Sequence, residues 1–190
     1  MSNLAYQDER KFEIHNGKIV SMSPSAVVNH NKIVGKIYRI FGNYLEGKPC
    51  DVFADGVDVH FSEKDVFIPD VMIVCDKNII HDDGIYGAPD LIVEVLSPST
   101  AKNDRGYKKD VYEKSGVKEY WIIEIKSKSI EVYLLKEGKY VLDEVYSIFP
   151  EYTLKKMTEE EKSKVAKEFK TSLFADLTIV LEDIFANLIL

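Results

Sequence analysis

Two carboxylates frame the chemistry this sequence could do. Glu94 stands inside the apolar run Leu91-Ile92-Val93-Glu94-Val95-Leu96, and Asp70 follows Pro69 about two dozen residues earlier. A carboxylate is almost never fully buried unless it is paired or holds a cation. Glu94 therefore calls for a positive partner, and Asp70 is the natural second ligand. Two carboxylates from separate strands suit a hard divalent ion such as Mg2+, or Mn2+ in its place, which takes one or two protein carboxylates and keeps sites for water and phosphate. Asp90 also follows a proline, but it shares a strand with Glu94. At about 3.3 Å per residue their backbones lie roughly 13 Å apart, too far to share one ion. Asp90 reads as a turn or strand-start residue, whereas sheet pairing can set Asp70 beside Glu94. The plain alternative for Asp70 is a turn residue after Pro69.

The elements that must position these groups read as one α/β unit. At 190 residues, 45% of them hydrophobic, the chain suits a single domain with a sizeable core. A hairpin opens it, Phe12–His15 and Lys18–Met22 around Asn16-Gly17, a dipeptide that favours left-handed turn dihedrals. A helix is expected after Pro24, with Ile33, Val34, Ile37, Tyr38, Phe41, Tyr44 and Leu45 on one face and Gly47 near its end. Extended segments follow at Asp51–Phe61, Val66–Cys75 and Leu91–Leu96, the last apolar throughout except for Glu94, as a central strand covered on both faces would be. A second helix runs from about Asp104 to Ser115 and stops at Gly116. Strands at Glu119–Ile125, Ile130–Leu135 and Tyr140–Tyr146 then form a meander. Residues 150–190 are expected as a helical extension packed on the domain, with a capping box at Thr158–Glu161.

The formal charge of −7 excludes a globally basic nucleic-acid binder, though not a local basic face or a metal bridge to phosphate. Cys50 and Cys75 lack metal-ligand spacing and indicate neither a zinc site nor a disulfide framework, so a reducing cytoplasm is expected. No apolar signal core and no membrane-crossing run is seen. Neither a Walker loop nor a dinucleotide fingerprint occurs, so no nucleotide cofactor is expected. Ser97-Pro98-Ser99-Thr100 lacks a Gly-x-Ser-x-Gly elbow and reads as a helix lead-in.

Pro69-Asp70, Pro89-Asp90-Leu91-Ile92-Val93-Glu94-Val95-Leu96-Ser97-Pro98-Ser99-Thr100, Asp104-Arg105-Gly106-Tyr107-Lys108, Tyr112 and Gly116-Val117-Lys118-Glu119-Tyr120-Trp121 resemble the Uma-two family of bacterial endonucleases, within the PD-(D/E)XK nuclease superfamily. The resemblance runs from about Phe12 to Tyr146. It implies a restriction-endonuclease-like mixed sheet flanked by helices and a magnesium-dependent site cleaving DNA phosphodiesters. Asp70, Glu94 and the Val95 carbonyl would hold the metal, with Glu13 and His30 as accessory residues. His30 also lies at the apolar margin of the first helix, three and four residues before Ile33 and Val34.

One position departs from the superfamily pattern. The lysine expected two residues after the second acid, on the same strand face, is Leu96 here. On a helical wheel Lys108 falls on the arc of Asp104, Val111, Tyr112 and Ser115 and faces inward, whereas Lys109 turns toward Arg105 and Glu113. A migrated lysine at 108 would orient the attacking water, the alternative being a surface lysine that lays its stem along the helix. Cleavage of both strands of a duplex would call for a homodimer, with the apolar Leu173–Leu190 tail as part of the interface. The competing reading is an inactive nuclease-fold module for binding or assembly.

Overall fold

The structure is a computed structural model describing residues 11–22 and 27–189. Two six-stranded sheets are stacked, and a small hairpin lies in the C-terminal part. The strands are β1 (Phe12–His15), β2 (Lys18–Ser21), β3 (Asp51–Ala54), β4 (Val59–Ser62), β5 (Asp65–Phe67), β6 (Val71–Val74), β7 (Ile80–His81), β8 (Gly84–Tyr86), β9 (Leu91–Val95), β10 (Glu119–Glu124), β11 (Ser129–Lys136), β12 (Lys139–Ser147), β13 (Glu168–Lys170) and β14 (Thr178–Val180). The helices are α1 (Val28–Leu45), α2 (Ala101–Asn103), α3 (Lys109–Ser115), α4 (Glu151–Leu154), α5 (Glu159–Ser163) and α6 (Leu181–Phe185). A π-helical turn, Asp104–Lys108, joins α2 to α3.

The main sheet runs β12-β11-β10-β9-β6-β3. Strands β9 and β10 are parallel, so the chain must cross over between them, and the helical segment 101–115 is that crossover. Alternation along β9 and its neighbours divides the core. Val71, Ile73, Leu91, Val93, Val95, Trp121 and Ile123 pack on one side with Ile33, Ile37 and Phe41 of α1. Met72, Val74, Ile92, Leu96, Tyr120 and Ile122 pack on the other with Val59 and Phe67 of the second sheet and Val111 and Tyr112 of α3. Glu94 has the parity of the second group, so its carboxylate faces the layer between the two sheets.

The second sheet, β2-β1-β5-β4-β8-β7, opens with the expected hairpin. Asn16 (φ 49°) and Gly17 (φ 75°) both take left-handed dihedrals at its tip. Two expected extended segments are each divided between the sheets. Asp51–Phe61 breaks at Gly56 (φ 108°) into β3 and β4, and Val66–Cys75 breaks at Pro69, which cannot donate to a ladder, into β5 and β6. Pro24, the expected lead-in to α1, lies outside the described residues. Tyr38, expected on the apolar face of α1, remains 45% exposed.

Two further expectations are revised. Cys50 and Cys75 form a disulfide. The reason is register: β3 and β6 pair antiparallel with Asp51 opposite Val74, and the next step sets the two cysteines face to face. The last forty residues are not purely helical. They contain α4, α5 with the expected Thr158–Glu161 capping box, the β13–β14 hairpin and α6. Leu177, Ile179, Leu181, Ile184 and Phe185 of this tail are buried in the chain's own core beside α1, which removes them from a dimer interface. No helix among the described residues is long and apolar enough to cross a membrane.

Candidate active site

Glu94 is 3% exposed at the end of β9, and its Oε1 takes two contacts. Lys108 Nζ lies 2.6 Å away, and the Tyr112 hydroxyl donates at 2.6 Å. Strand β6 runs antiparallel to β9 with Val71 opposite Val93, so the next step along that register sets Asp70 opposite Glu94. The carboxylate of Asp70 accepts the Val95 N–H at 2.7 Å and meets His30 Nε2 at 3.2 Å. Asp70 is thereby tied both to His30 and to the backbone of the strand that carries Glu94.

Lys108 is 4% exposed and comes from the π-helical turn. With about 4.4 residues per π turn, Asp104 and Lys108 share a side, and Asp104 Oδ1 is 3.7 Å from Nζ. Lys108 also donates to Glu13 Oε1 at 2.9 Å. Glu13 reaches inward from β1, accepts the Ile68 N–H at 3.0 Å and holds His15 Nε2 at 2.8 Å. Lys109 turns outward, with its Nζ 3.6 Å from the centre of the Tyr133 ring. Leu96 sits in the apolar layer. Asp90 accepts the Cys75 N–H at 2.7 Å and the Lys118 ammonium at 2.7 Å, a structural pairing that explains its presence at the head of β9.

The electrostatics follow from an excess of acid. Burial acts to lower the proton affinity of Lys108, but Glu94, Glu13 and Asp104 outweigh it and hold the ammonium above its ordinary range. Burial pushes Glu94 well up, against the pull of Lys108 and with the added repulsion of Asp104, Asp70 and Glu13. Burial likewise raises Asp104, whose Oδ1 has no hydrogen-bond partner among the described residues. Glu13 resists its burial because His15, Lys108 and the Ile68 N–H favour its anion, and it falls to about 2. Burial would lower His30, yet Asp70 raises it. Its Nδ1 is buried without a hydrogen-bond partner among the described residues.

Thus Asp70, Glu94 and Lys108 are gathered into one cluster, and Glu13 and His30 each touch a member of it. Two participants were absent from the expected set: Tyr112 on Glu94 and Asp104 behind Lys108. The four-residue spacing of Asp104, Lys108 and Tyr112 carried that signal. Among the described residues no set of three or more His, Cys, Asp or Glu side chains forms a ready-made metal cage. What the site offers is a two-carboxylate set, Asp70 and Glu94, beside Lys108, whose ammonium is shared by three acids, Glu94, Glu13 and Asp104. That donor set, with an Asp104 oxygen that makes no hydrogen bond among the described residues, fits a hard, partly hydrated cation.

A mixed sheet with antiparallel β6–β9 and parallel β9–β10, with Glu94 on β9 and Asp70 immediately before β6, defines a restriction-endonuclease-like fold. The chain belongs to the Uma2 family, described as "Putative restriction endonuclease", whose model matches residues 2–160. Two relatives from Synechocystis sp. (strain ATCC 27184 / PCC 6803 / Kazusa) are similar. The chain is 29% identical to "Uncharacterized protein slr1290" over 127 residues, covering 66% of each chain. It is 28% identical to "Uncharacterized protein sll1609" over 109 residues, covering 56% of this chain and 61% of that one. The matches thus span just under two thirds of the length of these curated relatives. A crystal structure described as "a putative nuclease belonging to DUF820 from Anabaena variabilis ATCC 29413" superposes with a TM-score of 0.70 at 18% identity, over 93% of this chain and 90% of that one, a likeness of fold.

Proposed function

We propose that the chain is a magnesium-dependent endonuclease that hydrolyses DNA phosphodiester bonds at the Asp70–Glu94–Lys108 cluster. The observation that carries this reading is the 2.6 Å approach of Lys108 Nζ to Glu94 Oε1 from the crossover helix, at the point where the strand itself supplies Leu96. Asp70, Glu94 and the Val95 carbonyl would hold Mg2+ or Mn2+. When bound, the ion supplies an acidified water and neutralises charge on the phosphate.

The protein's own groups have separate tasks. Lys108, kept protonated by its acids, orients the attacking water and offsets charge growing on the phosphorane-like transition state. Glu13 anchors that lysine, since one of its oxygens takes both Nζ and the Ile68 N–H. Tyr112 donates to the same Glu94 oxygen as Lys108, which fixes the rotation of that carboxylate. His30 and the Val95 N–H restrain Asp70 in the same way. Cutting both strands of a duplex calls for a homodimer, which light scattering at micromolar concentration tests.

The deciding experiment incubates the protein with supercoiled plasmid and with single- and double-stranded oligonucleotides in Mg2+ or Mn2+, with a chelator as control. Cleavage that is lost with chelator and with Asp70→Ala supports the reading. Intact DNA under every condition refutes it and leaves the inactive binding module.

A further inference from the structure

The C-terminal part of the chain holds α1 from outside at both ends. At the C-terminal end of α1, the Tyr44 hydroxyl donates to Asp176 at 2.5 Å and Lys48 pairs with the same carboxylate at 3.8 Å. Toward the N-terminal end, Asn29, Lys32 and Lys36 form one row at helical spacing and all reach the backbone of residues 184–189. Asn29 makes two bonds to Ile189. Its Nδ2 donates to the Ile189 carbonyl at 2.6 Å, and its Oδ1 accepts the Ile189 N–H at 2.8 Å. Lys32 Nζ donates to the Asn187 carbonyl at 2.7 Å, and Lys36 Nζ donates to the carbonyls of Ile184 and Ala186. This segment lies beyond residues 2–160, the stretch that the family model matches.

The first turn of α1 needs such a hold. Val27 at its N-cap offers no side-chain acceptor, no acidic residue stands in its first turn, and Val27 and Val28 are 63% and 58% exposed. The side chain that this turn delivers is His30, next in sequence to Asn29 and 3.2 Å from Asp70. Among the described residues the His30 Nδ1 has no hydrogen-bond partner. The imidazole is placed by its contact with Asp70 and by the helix turn that carries it, and that turn is tied to residues 187–189 through the side chains of Asn29 and Lys32.

We infer that the 184–189 strap, acting through Asn29, sets the position of His30 over Asp70, and that Asn29 is a positioning residue for the cluster. The inference rests on the proposed nuclease reading only where it predicts a rate. A displaced first turn would carry His30 away from Asp70 while leaving Lys108, Glu94 and Glu13, which come from other elements, in place.

The test uses the full chain carrying Asn29→Ala, Asn29→Gln or Lys32→Ala. Imidazole NMR signals of His30, assigned with a His30→Gln control, should shift in Asn29→Ala and return toward wild type in Asn29→Gln, which keeps the two-way amide. Lys32→Ala should shift them in the same direction by less. In the plasmid assay kcat should fall about 10-fold in Asn29→Ala with KM for DNA unchanged, because a misplaced helper harms the bound complex rather than its formation. Unmoved His30 signals in both Asn29→Ala and Lys32→Ala would overturn the strap whatever the cleavage rate does. A wild type that cuts no DNA would overturn the nuclease reading and leave the NMR comparison to decide the strap.

Discussion

Lys108 and Glu94 meet at 2.6 Å although one lies on a π-helical turn and the other on the central strand. The ammonium approaches from the crossover, while the strand position two residues past the acid is occupied by Leu96 in the apolar layer. The contact singles out Lys108 rather than Lys109 as the lysine to test.

Lys108→Ala should reduce DNA cleavage by about 10² or more, as loss of one preorganised transition-state donor does. Lys109→Ala should change it little, because Lys109 lies against Tyr133 on the outer side. Single-turnover rates at saturating metal read this directly. Wild-type speed in Lys108→Ala would assign the cation wrongly. Removing the lysine also leaves Glu94, Glu13 and Asp104 without their shared cation, so circular dichroism must accompany the rate.

Magnesium or manganese should stabilise the folded chain, since acids that repel one another are relieved by a cation bound only in the native state. At a hundredfold excess over Kd the gain is about 2.7 kcal/mol. Asp70→Asn should remove most of it. Thermal melts with and without millimolar metal check this, and equal midpoints for the wild type would count against a site.

That gain should grow with pH. Glu94 and Asp104 have raised proton affinity when folded, so without metal their contribution to stability is present below the ordinary carboxylate range and lost as pH rises through their raised values. Metal must displace those protons, and its effect on the melting midpoint should be larger at about pH 8 than at about pH 5. Glu13 acts in the opposite sense. Its fall from 4.5 to about 2 contributes stability above pH 4.5, which is lost as pH drops toward 2. Glu13→Gln should therefore flatten the acid limb of a stability profile measured in chelator.

Reduction should lower stability by about 3 kcal/mol, the usual value for opening a cross-link of this span, since Cys50 and Cys75 are 25 residues apart. Melts with and without dithiothreitol measure it, and Cys50→Ser with Cys75→Ser should match the reduced wild type. Identical midpoints in all three samples would contradict a bond that closes in solution.

The sequence made the centre of the site legible because each signal there was local. An acid inside an apolar strand declares its need for a partner, and a helical wheel separates Lys108 from Lys109. The wheel survived the π turn because a spacing of four stays on one side in either winding. What escaped was set by pairing between distant segments. Nothing in the spacing of Cys50 and Cys75 reveals that β3 and β6 oppose them. Asp51–Phe61 reads as one extended run because alternation does not say which sheet each half joins. The tail misled for a related reason: short apolar stretches such as Leu177–Leu181 fit a strand or a helix equally well until the surface they cover is known.

The π-helical turn makes the cluster depend on docking. Strand β9 lies mid-sheet between β6 and β10, and its amides should exchange with solvent only when the whole molecule opens. Segment 101–115 has no such ladder and rests on side-chain contacts such as Tyr112 on Glu94 and the Tyr120 hydroxyl on the Asp104 carbonyl. A fluctuation that lifts this segment alone would part the lysine from its acids while both sheets persist. Heating should thus silence the protein before it melts it, with the amides of residues 101–115 exchanging ahead of those of β9.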